Sequence, residues 1–311
     1  MKRKNVITVT MNPSIDVTLW MDGLHPDKAN RVLEETREVG GKGINVSRVV
    51  NSFGLESLSL TIAGKENSRE FATFLESNGL RYEMLQVAGL VRENYTLRFE
   101  DETLKVNRKG PAVSALMMTA FMALIESRMK AGDIVVFGGS LPENVSIQDF
   151  IELIVAVKNA GALIALDTDF LSLEDYRCIK PWLIKPNIHE LQNILPIAEK
   201  SLSSISQAAK QLVDEGVENA LVSLGSQGLM LVTNESALHA AVPEVEVKST
   251  VGAGDSALGG FLVGTIKGYS SEDTLRLAAA CGTVSVMHDG TAVATKQESD
   301  KMRDAVSISS I

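Results

Sequence analysis

Two cysteines in 311 residues, Cys178 and Cys281, are too few and too far apart in the chain for a disulfide framework or a zinc site. Both thiols are expected to be buried. No apolar run approaches the roughly 18 residues that a membrane-spanning helix requires. Residues 5–11, behind the basic start Met1-Lys2-Arg3-Lys4, are too short and too strand-like for a signal segment. Positive charge is also scarce: 30 Lys and Arg stand against 39 Asp and Glu, giving a net charge of −9. That balance argues against a nucleic-acid surface while allowing a local basic pocket. No linker, low-complexity tract or internal repeat divides the chain. The composition is that of a soluble, cytoplasmic protein, long enough for one large α/β domain with a substantial core.

Buried strands are predicted at Val6–Thr10, Leu58–Ile62, Ile134–Phe137, Leu163–Leu166, Trp182–Ile184 and Ala220–Leu224. Helical spacing lies between most of them, at Gly43–Phe53, Arg69–Ser77, Ser114–Met129, Ile147–Lys158 and Ser206–Glu215. Alternation of this kind predicts a mainly parallel sheet covered by helices, with ligands beyond the carboxyl ends of its strands. Two segments break the rhythm, residues 17–39 and 87–109. In the second, Arg92 to Glu100 alternates, Asp101-Glu102 is a candidate turn, and Thr103 to Val106 alternates back, a predicted hairpin. Together the two segments are expected to build a small β-sheet lid on a single domain.

The most informative run is Ser249-Thr250-Val251-Gly252-Ala253-Gly254-Asp255-Ser256. Val245 to Lys248 before it alternates as a strand does, and Ala257, Leu258, Phe261, Leu262 and Ile266 after it recur at helical spacing. The glycines therefore open a helix, where free N–H groups and the helix dipole attract anionic oxygens. A carboxylate there would repel a phosphate unless it served as a proton acceptor, although Asp is also an ordinary first-turn residue. The run fits the relaxed dinucleotide pattern Gly252, Gly254, Ala257 as well, with Glu272 and Asp273 as possible ribose acids. A second glycine turn, Gly40-Gly41-Lys42-Gly43-Ile44-Asn45, is no Walker loop: Thr36 stands where the first glycine is needed, and no Ser or Thr follows Lys42. It suits the floor of a polyhydroxyl site, with Asn45 able to donate and accept.

These runs occur in order with Asn12-Pro13-Ser14-Ile15-Asp16, Gly139-Ser140-Leu141-Pro142, Lys185-Pro186-Asn187 with Glu190, and Ser223-Leu224-Gly225 with Gly228. From about Val6 to about Gly290 the chain resembles the PfkB (ribokinase-like) carbohydrate kinases, and within them the 1-phosphofructokinases and tagatose-6-phosphate kinases. The resemblance implies a three-layer α/β/α sandwich with a small β-sheet lid, ATP and Mg²⁺ as cofactors, a phosphosugar acceptor and a homodimer formed through the lid. It implies Asp255 as the base that accepts the sugar hydroxyl proton, with Gly252, Ala253 and Gly254 as the anion hole. Sugar binding falls to Asp16, Gly40, Gly41, Lys42 and Asn45. The acceptor's phosphate falls to Arg31, Arg92, Asn94, Lys105 and Ser140, with Lys28 preceding the same lid strand. Nucleotide binding falls to Lys185, Asn187, Ser223, Gly225, Ser226 and Gly228, with adenine near Gly290. Glu190 is implied as the acid that organises Mg²⁺ through water, as that hydrated ion prefers.

One position departs from the resemblance. Many 1-phosphofructokinases read Thr-Arg-x-Asn-x-Lys at the lid, whereas this chain keeps Arg92 and Asn94 but carries Thr96 in the lysine's place. Lys105 or Lys109 are the candidates to compensate, and Gly110-Pro111 is similar to the tagatose-6-phosphate kinases. The expected reaction is fructose 1-phosphate to fructose 1,6-bisphosphate. The alternatives are tagatose 6-phosphate as acceptor, a catalytically silent sugar-phosphate sensor, and a dinucleotide oxidoreductase.

Overall fold

The computed structural model describes residues 4–100, 102–197 and 199–311. The chain opens with β1 (Val6–Thr10), β2 (Ser14–Met21), β3 (Val32–Gly40), α1 (Lys42–Ser52), β4 (Ser57–Gly64), α2 (Ser68–Ser77) and β5 (Arg81–Val87). A hairpin of β6 (Arg92–Phe99) and β7 (Glu102–Asn107) leads to α3 (Ala115–Arg128) and β8 (Ile134–Gly138). Next come α4 (Ile147–Asn159), β9 (Leu163–Asp167), α5 (Leu173–Ile179), β10 (Leu183–Ile184), α6 (Ile188–Ile194), α7 (Leu202–Asp214) and β11 (Asn219–Ser223). The last elements are β12 (Leu229–Thr233), β13 (Ala237–Ala241), α8 (Ala253–Lys267), α9 (Ser271–Val286), α10 (Lys296–Arg303) and β14 (Ser307–Ser310).

The large sheet runs in the order β14-β13-β12-β11-β10-β9-β8-β1-β4-β5. From β5 to β11 every pairing is parallel; β12, β13 and β14 extend it antiparallel. Strands covered on both faces carry near-continuous apolar sequence, and β1 (VITVT) and β8 (IVVFG) are buried throughout. Alternate side chains feed two cores. Ile7, Val9, Val135, Phe137, Ile164 and Leu166 pack against α3 to α7 through Phe121, Ile125, Phe150 and Leu212. On the other face, Val6, Ile134, Val136 and Ala165 meet α1, α8 and α9 through Val46, Val49, Leu258, Leu262 and Leu277. The result is the three-layer α/β/α sandwich. The chain leaves β1 for β4 on one side and reaches β8 on the other, which is the switch point beyond whose carboxyl ends a ligand crevice forms.

The small sheet has the order β3-β2-β6-β7. Its register aligns Ser14 with Gly40 and Arg92, Asp16 with Glu38 and Asn94, and Thr96 with Thr18 and Lys105. Side chains alternate across a sheet, so those polar residues share one face. The other face places Ile15, Val17 and Val39 in a third core with Ile44 and with Phe71 and Leu75 of α2.

Several expectations change. Residues 245–248 form no strand; Lys248 N–H and Ser249 N–H instead both donate to the Val286 carbonyl, at 2.8 and 3.3 Å, so the segment is held by a helix end and has no strand beside it. Glu102 belongs to β7, opposite Phe99, so the hairpin turn falls before it. Asp101 of the expected turn and the basic residues 1–3 lie outside the described residues. Asp16 lies inside β2, which begins at Ser14. Cys281 is buried as expected, whereas Cys178 on α5 is exposed. Among the described residues no helix is long and apolar enough to cross a membrane.

Candidate active site

The turn before α8 takes its shape from Gly252, whose backbone lies in the left-handed region at φ 79°. It caps α8 without a side-chain hydrogen bond, and its carbonyl accepts from Ser256 N–H at 2.8 Å. The N–H groups of the first helical turn, at Ala253, Gly254 and Asp255, therefore remain available to an anion. A Cβ at Gly254 would lie 2.8 Å from Lys185 Nζ, so a side chain there would displace that ammonium group.

Asp255 is 7% exposed, and its Oδ2 accepts from Asn45 Nδ2 at 2.8 Å. The glycine turn at the start of α1 thus reaches the one at the start of α8 through a single hydrogen bond. Burial, reinforced by the Asp167 charge, pushes the Asp255 carboxyl up to about 6, against the Asn45 hydrogen bond and the Lys185 and Lys42 charges. A carboxylate poised there can hold a proton taken from an alcohol near neutral pH.

Asp167, at the end of β9, is the residue sequence reasoning missed. Its Oδ1 accepts from Lys42 Nζ at 2.8 Å and its Oδ2 lies 3.4 Å from Lys185 Nζ, with the carboxylate 1% exposed. Burial would raise its pKa, but the Lys185 and Lys42 charges outweigh it and hold the carboxyl below the usual range. Burial likewise works against the Lys42 charge, and the Asp167 charge and hydrogen bond overcome it. Lys42 is accordingly turned toward Asp167, a contact that its expected place on the sugar floor did not include. The signal available in the sequence was an acid directly after the predicted strand 163–166, where a parallel strand delivers side chains to the crevice.

At the small sheet, Asp16 Oδ1 accepts from Ser14 Oγ at 2.8 Å and Asn94 Nδ2 at 3.0 Å. Burial raises its pKa, with these bonds and the Arg92 charge opposing. Gly40 lies so close that a methyl group there would collide with the Asp16 carboxylate and the Ser14 hydroxyl. Beside this row is a cavity of about 350 Å³, lined among others by Asn12, Arg92, Arg108, Lys109 and Ser140. Ser140 Oγ accepts from Asn12 Nδ2 at 3.1 Å, and Arg92 Nε is buried with no protein partner. A cation and a hydroxyl converging on a polar cavity suit a phosphate.

Lys105 is exposed on the same sheet face, directly across from Thr96. Arg31 is not brought to this site. It precedes Val32, which pairs with Met21 at the far end of a strand whose other end is Gly40, so at ~3.3 Å per residue the side chain starts roughly 25–30 Å away.

Among the residues expected to meet nucleotide, Asn187 and Glu190 form a capping box on α6: Glu190 N–H donates to Asn187 Oδ1 and Asn187 N–H to Glu190 Oε2, each at 2.9 Å. That leaves Glu190 Oε1 outside the box. Ser223 pairs with Asn187 and has a buried, unpartnered hydroxyl. Gly225, Ser226 and Gly228 follow in a 3₁₀ turn, with Gly225 and Gly228 at positive φ. The Gly290 carbonyl accepts from Ser249 Oγ at 3.0 Å, which places that loop against the segment entering the α8 turn. A larger cavity, about 690 Å³, lies at the opposite end of α8, near Lys267, Tyr269 and Arg303.

The family model for pfkB family carbohydrate kinases matches residues 2–298. The chain belongs to the pfkB family. It is 34% identical to the 1-phosphofructokinase of Bacillus subtilis over 284 residues, covering 91% of this chain and 93% of that one. It is 28% identical to a tagatose-6-phosphate kinase of Staphylococcus epidermidis, covering 92% and 93%. Its structure is similar to that of Escherichia coli phosphofructokinase-2 in complex with potassium, with a TM-score of 0.89, 25% identity, and 97% and 98% of the two chains covered. A phosphotransferase of ribokinase-like fold follows, and the dinucleotide reading of the Gly252 turn is overturned. Geometry agrees with that correction: Glu272 and Asp273 lie at the start of α9, beyond the far end of the 15-residue α8 and so roughly 20 Å from the glycines.

Proposed function

We propose that this pfkB kinase transfers the γ-phosphoryl group of ATP to a phosphosugar, with fructose 1-phosphate as acceptor and fructose 1,6-bisphosphate as product. The observation that carries the reading is a buried carboxylate, Asp255, in the first turn of a helix whose N–H groups are free; a cavity lined by Arg92 and Ser140 offers phosphate-binding groups in the same chain. Asp16 and Asn45 hold sugar hydroxyls, and Arg92 with Ser140 takes the acceptor's phosphate. Asp255 accepts the proton of the attacking hydroxyl as transfer proceeds, while the Gly252–Gly254 turn meets the developing charge on the migrating group. Lys185 and Lys42, both held on Asp167, add positive charge beside that turn.

Phosphoryl transfer in this family calls for Mg²⁺. No group of three His, Cys, Asp or Glu side chains able to hold a metal occurs among the described residues; Mg²⁺ in kinase sites generally keeps much of its water and is shared with phosphate oxygens. Glu190, through Oε1, would hold one of those waters. Such an ion would supply charge neutralisation for the transferring phosphoryl group.

Tagatose 6-phosphate is the second reading, favoured by the Staphylococcus epidermidis relative. An ADP-coupled assay with fructose 1-phosphate, tagatose 6-phosphate, fructose 6-phosphate and free fructose decides. A phosphosugar is expected to exceed free fructose by at least about tenfold in kcat/KM, because Arg92 meets only the phosphate. Equal or better turnover of free fructose would sink the phosphosugar reading. Absence of turnover with all four, while ATP and a phosphosugar both bind, would favour a silent sensor.

A further inference from the structure

The Asn45 amide stands between two groups of opposite demand. Its Nδ2 donates to Asp255 Oδ2 at 2.8 Å, and its Oδ1 accepts from Arg48 Nη1 at 3.3 Å. A primary amide can turn over about its last bond, exchanging donor for acceptor within the same volume. A guanidinium offers donors only. With Arg48 in place, a turned amide would set N–H against N–H on one side and oxygen against the Asp255 carboxylate on the other. The constraint matters most once Asp255 carries a proton, because a carboxylic acid donates as well as accepts and no longer dictates the amide's direction.

Arg48 is itself fixed. The same Nη1 donates to the Thr291 carbonyl at 2.9 Å, and Thr291 N–H and Oγ1 donate to Glu38 Oε2 at 3.1 and 2.8 Å. Glu38 is the register partner of Asp16 on the small sheet. Among the described residues no carboxylate lies within 4 Å of Arg48, and burial lowers its pKa with only the Glu38 charge opposing. A half-buried guanidinium without a paired carboxylate is a costly way to fill space.

We propose that Arg48 is a positioning residue that locks the Asn45 amide with its NH₂ toward Asp255, and that Glu38 and Thr291 anchor the lock between the small sheet and the loop after α9. The proposal rests on the reading of Asp255 as proton acceptor. The other groups facing Asp255 are Asp167 from β9, Lys42 from α1 and Lys185 from the loop after β10, and none of them hydrogen-bonds to Arg48.

Titration of the Asp255 carboxyl by ¹³C NMR, in protein labelled at aspartate Cγ and assigned against Asp255→Asn, reads the lock without any substrate. The wild-type midpoint is expected at about 6. Arg48→Met keeps the side-chain volume and removes the donors, so the midpoint should rise by about half a pH unit or more as the hydrogen bond to the charged form is lost. Its kcat should fall on the order of tenfold while the acceptor KM changes less, as expected when geometry at the reacting centre loosens. Arg48→Lys, which keeps a donor, should recover most of both. If Arg48→Met does not fold, Arg48→Leu, which also lacks donors, is read the same way. An unchanged midpoint in a folded Arg48→Met or Arg48→Leu protein would overturn the proposal, as would Arg48→Lys behaving like Arg48→Met. Wild-type turnover of the four sugars is a separate readout, so failure of the kinase reading and failure of the lock are told apart.

Discussion

Ionising Asp255 inside the fold costs about 3 kcal/mol more than in water, since its carboxyl is moved from 3.8 to about 6. The sign follows: a carboxyl whose folded pKa is raised contributes stability that is fully present below about 3.8 and lost as the pH rises through about 6. Asp255→Asn cannot ionise, so its melting temperature should exceed that of wild type by more at pH 8 than at pH 4. A difference independent of pH would contradict the burial of this charge. The same ionisation sets an acid limb in kcat/KM near pH 6, with kcat/KM falling about tenfold per unit below it. Asp255 could be singled out from sequence because an acid in an anion-binding turn conflicts with its neighbours' chemistry. Asp167 could not be ranked in that way. Its meaning depends on Lys42 and Lys185, and Lys42 lies 125 residues away in the chain.

Among elements, the readable ones were those whose burial imposes a period. The helix after Gly254 and the strands β1, β8 and β9 followed from apolar spacing, because each is covered by other elements. Residues 245–248 alternate equally well yet form no strand, since alternation is only half of a strand and a partner edge is the other half. Antiparallel β12, β13 and β14 were missed; β13 (ALHAA) and β14 (SISS) carry too few large apolar residues to announce themselves. At the small sheet, the two irregular segments were legible as strands, but the register that aligns Asp16, Gly40, Arg92 and Asn94 was not. Gly40→Ala tests that alignment: the added methyl displaces the Asp16 carboxylate, so the acceptor KM should rise by about tenfold while ATP affinity is kept. Isothermal titration with ATP beside sugar saturation kinetics checks both halves, and an unchanged KM would remove Asp16 from the acceptor site.

At the scale of the molecule, the family and the three-layer fold were written in six ordered motifs, whereas the place of Arg31 depended on the length of β3. That length carries Arg31 away from its own site, while Val32, Leu33, Leu104 and Val106 leave apolar surface on the edge strands β3 and β7. Unpaired edges of this kind need cover, and a second copy of the small sheet would supply it. If Arg31 serves the partner's phosphosugar site, Arg31→Ala raises the acceptor KM by about tenfold in a protein that sediments as a dimer. Mixing Arg31→Ala with Asp255→Asn subunits should then restore low-KM turnover, because one mixed site holds both an intact Asp255 and an intact Arg31. A monomer, or no recovery on mixing, would contradict that arrangement. Whatever the assembly, the proposed chemistry turns on Asp255 taking the proton of a sugar hydroxyl during phosphoryl transfer. Its most direct test is turnover of Asp255→Asn beside wild type with the preferred phosphosugar. The kcat of Asp255→Asn should fall by about a thousandfold or more with ATP binding retained, and turnover within about threefold of wild type would rule out Asp255 as the proton acceptor.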